Sequence, residues 1–478
     1  MELTNFEIAY WSIGLAFFVY FAVVNILYAI LTMLGAYNTY KEYNELRRED
    51  LTKIIKSNSL PEISFVIPAF NESKNILSAV KSLLEISYRK KEIVIVNDGS
   101  DDDTLKVLID YLELETCPVY FEEILASKPI RGVYKSRRYP EIVVVDKENG
   151  KRFDAINVGI NSCSNPFFIT IDADTIIDDE MFEAVIEPIF THPETIAVGA
   201  GVRINNGCEV GYHKILTKDF PKSYLVAMQS LEYLRSFLMR QGWNYTGGNF
   251  CIAGAFAVFS REAVIRVGGF APTFANDLEI VVRLQRYYKQ NHLPYHIHYL
   301  SEPVAWTKSP KTYKHLAHQR FLWQRGTLES MWFHRAMFFN PDYGGFGCFV
   351  LPLAFLGEVF EPVVELLAYF FIAIGYYFGF LSLHAILVIF LISWGCTLIF
   401  SLFALIVEEC SFRKYRSFSS IIKLCTYAFV ENIGYRQMTI YWRVKGFIGF
   451  FKRFDEIKQD SKNINRVFEE NESYNIKT

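Results

Sequence analysis

Two carboxylates one residue apart close the run Phe168-Ile-Thr-Ile-Asp172-Ala-Asp174. An apolar stretch of that kind reads as a buried strand. Its acidic end then offers oxygen ligands at the edge of a sheet, the donor type that Mg2+ or Mn2+ takes. A divalent cation held there can bridge a diphosphate and draw charge from it as it leaves. D-x-D alone also recurs in solvated turns; the strand before it and similar strand ends upstream give it weight. Ile63-Ser-Phe-Val-Ile-Pro68-Ala-Phe-Asn71-Glu72 and Ile93-Val-Ile-Val-Asn-Asp98-Gly-Ser are such ends. Their polar turns can meet a nucleotide, and Asp98 can accept hydrogen bonds from a uracil ring or be an ordinary acidic turn. In Phe274-Ala-Asn276-Asp277-Leu-Glu279 a carboxylate opens an amphipathic helix. It is either a helix cap or a general base that deprotonates an acceptor hydroxyl. In His318-Gln319-Arg320-Phe-Leu322-Trp323-Gln-Arg325, Trp323 can stack on a sugar ring while Gln319 and Arg325 contact acceptor or diphosphate. The same aromatic-basic block also suits an anchor at a membrane boundary.

The elements that must hold these residues follow from periodicity. Short β-branched runs at 63–68, 92–98, 141–146 and 166–172 alternate with helical patterns at 71–87, 102–114, 154–161 and 179–190. That alternation predicts a mostly parallel sheet covered on both faces, with ligands at the carboxyl ends of its strands. The amphipathic segment 223–240 is expected to lie on the sheet or on a membrane surface.

No charged residue occurs from Ile8 through Tyr40, a run longer than the roughly 20 residues a bilayer span needs. Lys41, Arg47, Arg48, Lys53 and Lys56 follow, which sets that side in the cytoplasm. A second uncharged run between Glu365 and Glu408 is long enough for two spans, with a break near 379–384. Glu358, Glu361 and Glu365 beside it indicate either a polar pathway or headgroup depth. The expected organisation is an N-terminal transmembrane helix at 1–40, a cytoplasmic linker helix at 41–61 and a catalytic domain at 62–335. An interfacial segment with two transmembrane helices follows at 336–408, cytoplasmic or interfacial helices at 409–454 and a disordered polar tail at 455–478. A formal charge of −3 spread along the chain does not indicate nucleic-acid binding. Eight scattered cysteines without a C-x-x-C pair fit a reduced compartment, not a disulfide framework.

Taken together and in this order, the blocks resemble the membrane-integrated family-2 glycosyltransferases, which include hyaluronan, chitin, cellulose and poly-N-acetylglucosamine synthases. The resemblance covers about 62–330 and weakly the stretch Tyr435-Arg-Gln-Met-Thr-Ile-Tyr-Trp-Arg-Val-Lys-Gly446. It implies a GT-A α/β fold flanked by transmembrane helices and inverting transfer from a nucleotide-diphospho-sugar, expected to be UDP-linked. The acceptor is then a glycan or lipid-linked molecule at the cytoplasmic face of the plasma membrane, with Mg2+ or Mn2+ as cofactor. By the same resemblance Asp98 binds the nucleotide, Asp172 and Asp174 form the D-x-D pair with Asp174 on the metal, and Asp277 is the base. Gln319 and Trp323 match a Q-x-x-R-W block. Arg152, Asp154 and Asn157, in Asn149-Gly-Lys-Arg-Phe-Asp-Ala-Ile-Asn, line the donor site. Leu322 replaces the motif arginine, Asn276 stands where a glutamate often precedes the base, and Arg152 takes a usual lysine place. A rival is a non-catalytic nucleotide-binding scaffold on the same fold.

Overall fold

The computed structural model describes residues 5–48, 61–118, 122–211, 214–217, 221, 223–412 and 418–475. Its centre is built from the β-branched runs. The strands are β1 (Ile63–Ala69), β2 (Lys91–Asp98), β3 (Leu114–Thr116), β4 (Ile130–Ser136), β5 (Ile142–Lys147), β6 (Phe167–Ile171) and β7 (Ile176–Ile177). Beyond them come β8 (Thr195–Ile204), the hairpin β9 (Glu209–Gly211) and β10 (Lys214–Thr217), β11 (Phe256–Ser260) and β12 (His296–Thr307). Ten of them form one sheet in the order β3-β4-β5-β2-β1-β6-β11-β8-β12-β7. The run β5-β2-β1-β6 is parallel, as is the β8–β12 pair, and β11 lies antiparallel between them. Ile63, Phe65, Val66 and Ile67 of β1 are fully buried. A strand covered on both faces has no polar side to show, which is why it reads as a continuous apolar run.

Register decides where the loops go. Ala69 lies opposite Asn97, and Asn97 opposite Asp146, so β1, β2 and β5 end level. Ile171 at the end of β6 faces Phe256 at the start of β11. The turns after β1, β2, β5 and β6 and the turn before β11 therefore share one edge.

The helices of this part are α2 (Ile76–Glu85), α3 (Thr104–Leu112), α4 (Lys151–Ser162), α5 (Asp179–Thr191), α6 (Tyr224–Tyr245), α7 (Arg261–Arg266), α8 (Asn276–Gln290) and α9 (Tyr313–Phe333). The helix at 223–240, α6, packs on β8 and β12 with one side and on the apolar N-terminal helix with another.

Among the described residues three helices are long and apolar enough to cross a membrane: Asn5–Asn44, Phe346–Tyr377 and Leu383–Ser411. The first is part of α1 (Asn5–Arg48), which carries on past Tyr40 into the expected linker; 49–60 lies outside the described residues. α1 crosses α6 at very short range, since a Cβ on Gly35 would meet Leu238 O at 2.1 Å and one on Gly242 would meet Leu31 O at 2.2 Å. The second carries π-helical turns at Phe346–Val350 and Phe355–Phe360 before α10 (Glu361–Tyr377). α11 (Leu383–Ser411) follows a break at the expected place, and then α12 (Phe418–Val430) and α13 (Tyr435–Lys452).

Buried and half-buried arginine–glutamate pairs tie these helices to the sheet domain and to each other. Arg203 of β8 meets Glu408 at 2.6 Å and Arg235 of α6 meets Glu431 at 2.5 Å. Arg436 of α13 reaches Glu365 at 2.7 Å and Glu361 at 3.3 Å, so the carboxylates flanking this span have named counter-charges.

One expectation is overturned. The described part of the polar tail expected to be disordered at 455–478 is helical: α14 (Phe454–Asn475) is a helix whose Ile457, Ile464 and Phe468 are buried in the main core, and 476–478 lies outside the described residues. Charge density hid this, because three apolar residues at helical spacing suffice once a docking surface exists.

Candidate active site

The shared edge carries three groups of side chains. In the first, Arg152 on α4 is the centre. Its Nη2 donates to Asp172 Oδ1 at 2.9 Å and to Gly254 O at 2.8 Å, and its Nη1 donates to Asn276 Oδ1 at 2.8 Å. Gly254 N in turn donates to Asp277 Oδ2 at 3.0 Å, and Leu278 N to Asp277 Oδ1 at 3.0 Å. Burial opposes the Arg152 charge, but Asp172 and then Asp277 hold it above the usual arginine value. Asp277 is half-buried in the first turn of α8, where unpaired backbone N–H groups favour a negative charge. Asp172 and Asp277, more than 100 positions apart in sequence, are thus brought together by one guanidinium and one glycine.

Asp174 anchors the second group. Thr307 at the end of β12 donates to its Oδ1 at 3.2 Å. Burial, then the charges of Asp172 and Glu72, push its carboxyl up to about 6. Lys308 offsets only part of this, so the site keeps room for further positive charge. Asp174 and Asp172 are oxygen donors, and Mg2+ binds through one or two carboxylates plus substrate phosphates, so the residues fit a divalent cation. Asp174 also walls a cavity of about 280 Å³ lined by Asn75, Ile176, Asn205, Lys308 and Lys311 among others.

The third group closes on itself. Lys147, fully buried, lies 2.8 Å from Asp98 Oδ1 and 2.5 Å from Asp154 Oδ2. Gly150 N donates to Asp98 at 2.9 Å and Lys128 N to Asp154 at 3.1 Å. These two aspartates, expected to line the donor site, are held by a buried lysine and by loop backbone, with both bonds to the Asp98 side chain on Oδ1 and its Oδ2 outside them. Asn157 departs likewise: its Oδ1 accepts from Phe270 N at 2.7 Å and its Nδ2 donates to Phe270 O at 3.1 Å. An amide with both ends on backbone holds a loop and leaves little to offer a ligand.

The β1 turn is stitched to the β2 turn. Asn71, at a left-handed φ of 57°, accepts on Oδ1 from Asp101 N at 2.9 Å, and Glu72 N donates to Thr104 Oγ1 at 2.9 Å. Pro68, half-buried near the end of β1, pairs with Val96.

On α9 the expected contacts divide. Trp323 is exposed and lies under the Arg320 guanidinium, whose charge is taken by Glu232 of α6. Gln319 keeps a buried amide oxygen without a partner among the described residues. Arg325 is paired with Glu329 at 3.1 Å and covers the Phe274 ring, and Thr273 donates to Glu329 at 3.1 Å. Arg325 therefore supports the turn that carries Asn276 and Asp277, and no hydrogen bond joins Gln319 or Trp323 to the aspartates among the described residues. Lys147, Gly254, Thr307 and Lys308 were not singled out from sequence. Only the Lys147 position, at the end of a β-branched strand, carried any local signal.

Residues 64–268 match the model of glycosyl transferase family 2, and residues 167–408 that of glycosyl transferase family group 2. The poly-beta-1,6-N-acetyl-D-glucosamine synthase of Staphylococcus aureus is 27% identical over 279 residues, covering 58% of this chain and 57% of that protein. The Staphylococcus epidermidis enzyme of the same description is 26% identical over 270 residues, 56% and 55% of the two chains. The chain thus spans a little over half the length of these relatives. Among solved structures, the mannosyltransferase PcManGT of Pyrobaculum calidifontis, in complex with GDP-Man and Mn2+, aligns at a TM-score of 0.49 and 14% identity. That alignment covers 90% of this chain and 99% of that one.

Proposed function

The chain belongs to the family-2 glycosyltransferases, and on that premise we propose that it moves a sugar from a nucleotide-diphospho-sugar to a hydroxyl acceptor with inversion, Asp277 acting as base. The observation that carries this reading is the Arg152 bridge, which joins Asp172 and Asn276 and leaves Asp277 beside Asp172 at the sheet edge. An inverting displacement needs a base on one side of the anomeric carbon and charge stabilisation for the leaving diphosphate on the other. Asp277, held by Gly254 N and Leu278 N, takes the acceptor proton. The acceptor oxygen attacks the far face of the anomeric carbon, so an α-linked donor yields a β-linked product without a covalent enzyme intermediate. Asp174, with Asp172, would hold a divalent cation, and Mg2+ or Mn2+ bound there would supply Lewis-acid neutralisation of the diphosphate.

The donor is a UDP-sugar lying against the β1 and β2 turns at Pro68–Asn71–Glu72 and Asp98, and the acceptor is a glycan or lipid-linked molecule. The three apolar helices among the described residues support a membrane protein. Its topology is multi-pass, in the plasma membrane, with the catalytic domain in the cytoplasm, and its product is a polysaccharide or a short lipid-linked glycan.

A screen of nucleotide-sugars for Mg2+- or Mn2+-dependent release of nucleoside diphosphate tests the reading. In the competent reaction Asp277→Asn lowers turnover about 10³-fold while donor binding stays within about threefold. Turnover near the parent level in Asp277→Asn removes the base assignment. Nucleotide binding without release or transfer for any donor favours a scaffold instead.

A further inference from the structure

A departing diphosphate would meet a carboxylate-rich edge in which most of the arginines and lysines are already committed. The charges of Asp172 and Glu72 both act on Asp174. Arg152 is spread over Asp172, Asn276 and Gly254, Lys147 is buried between Asp98 and Asp154, Arg320 serves Glu232, and Arg325 serves Glu329. At position 322, where the resembling enzymes carry an arginine, Leu322 is half-buried.

Two ammonium groups do line the cavity that Asp174 walls: Lys308, the residue that follows β12, and Lys311. Both are exposed side chains. Lys308 Nζ donates to a neutral amide, Asn75 Oδ1, at 2.6 Å, and its charge acts on Asp174. Asn75 is held in turn by the β1 turn, its Nδ2 donating to Glu72 Oε2 at 2.8 Å. The cavity therefore lies between the turn assigned to the nucleotide and the carboxylate assigned to the cation.

We propose that Lys308 receives the β-phosphate of the departing nucleoside diphosphate, with Lys311 adding positive charge to the same cavity. This rests on the glycosyl-transfer reading and deepens it. When the bond between the anomeric carbon and the β-phosphate oxygen breaks, the electron pair stays on that oxygen. The acceptor oxygen forms the new bond to carbon, and its proton goes to Asp277. The nucleoside diphosphate thus leaves with one more negative charge than it carried in the donor. Lys308 matches that charge as a fixed ammonium and transfers no proton. A lysine suits the task because its charge is compact and its stem flexible, so it swings from Asn75 to phosphate at the cost of one hydrogen bond to a neutral amide. Arg152 would have to release Asp172 and Asn276 to do the same.

The test uses the full chain in detergent with Mn2+, comparing the parent with Lys308→Ala, Lys308→Arg and Lys308→Ala/Leu322→Arg. UDP and GDP binding is read by equilibrium dialysis, and turnover by nucleoside diphosphate release. Lys308→Ala is expected to weaken binding of the parent's preferred diphosphate about tenfold and to lower kcat about 10²-fold, with the donor KM within about threefold. Lys308→Arg keeps turnover within about fivefold, and Leu322→Arg returns about tenfold of what Lys308→Ala loses. Parent-like diphosphate affinity and kcat in Lys308→Ala overturns the proposal, as does an effect confined to acceptor KM. If the parent binds UDP or GDP but transfers nothing, the glycosyl-transfer reading fails while the binding comparison still decides Lys308. A parent that binds neither overturns both.

Discussion

Two clusters at the same sheet edge use the same residue types to opposite ends. In the Asp98–Lys147–Asp154 cluster two carboxylates share one ammonium that has no exposure at all, and loop N–H groups take further oxygen lone pairs. In the Asp172–Arg152–Asp277 cluster the side chains of Arg152 and Asp172 remain 32% and 37% exposed, and Asp174 beside it is crowded by like charge. Each set holds two carboxylates to one cation, but the first is shut away from solvent and the second is open, with Asp174 beside it. A buried, tightly bonded set fixes the shape of a loop, whereas an open one with further negative charge next to it can accept a cation or a proton. The closed cluster is also useful to the other, because it sets the turn that begins α4 and hence the position of Arg152.

The comparison breaks first at Lys147. Lys147→Met leaves two carboxylates buried without their counter-charge, a change worth about 3–5 kcal/mol, so folded protein should be largely lost in size-exclusion profiles of the solubilised chain. A well-folded Lys147→Met chain would show that the cluster is less closed than its geometry indicates. Arg152→Met should do the reverse, with a normal elution profile and turnover about 10²-fold lower, because Asp172 and Asn276 lose the group that positions them. Gly254→Ala is a finer probe. Its Cβ would sit 3.1 Å from Asp277 Oδ2 and 3.3 Å from Arg152 Nη2, so these groups must give by a few tenths of an ångström. Turnover about tenfold lower with unchanged thermal stability is expected, read from kcat and a melting curve.

The smallest effect concerns Asp174. Its folded carboxyl is raised to about 6 from 3.8, so the fold favours the protonated form. That contribution is fully present below about pH 4 and is lost as pH rises through about 6. In EDTA at pH 7.5, Asp174→Asn should therefore be the more stable protein, on the order of 1–2 kcal/mol after allowance for partial exposure. The difference should vanish near pH 4 in melting curves taken across that range. A parent with a flat profile between pH 4 and 7 would mean that Asp174 is not crowded.

Much of this architecture was legible in the chain itself. Strand runs bounded by polar turns located β1, β2, β5 and β6 to within a residue or two, because a strand buried on both faces leaves no other composition open. Uncharged runs located α1, α10 and α11 for the same kind of reason. Asp172, Asp174 and Asp277 were also visible, as acidic residues at element ends. The sequence could not say which acidic ends stay open. Asp98 and Asp172 look alike in one dimension, and their difference lies in Lys147 and Arg152, whose side chains cross to neighbouring strands. Nor could it announce Gly254, whose N–H and C=O serve Asp277 and Arg152 only because β11 runs antiparallel to β6. The tail shows the same division: its charges are local, but the core that receives Ile457, Ile464 and Phe468 is assembled from distant segments. Local periodicity determines where elements begin and end; charge compensation and docking depend on neighbours distant in sequence, and only the folded chain supplies them.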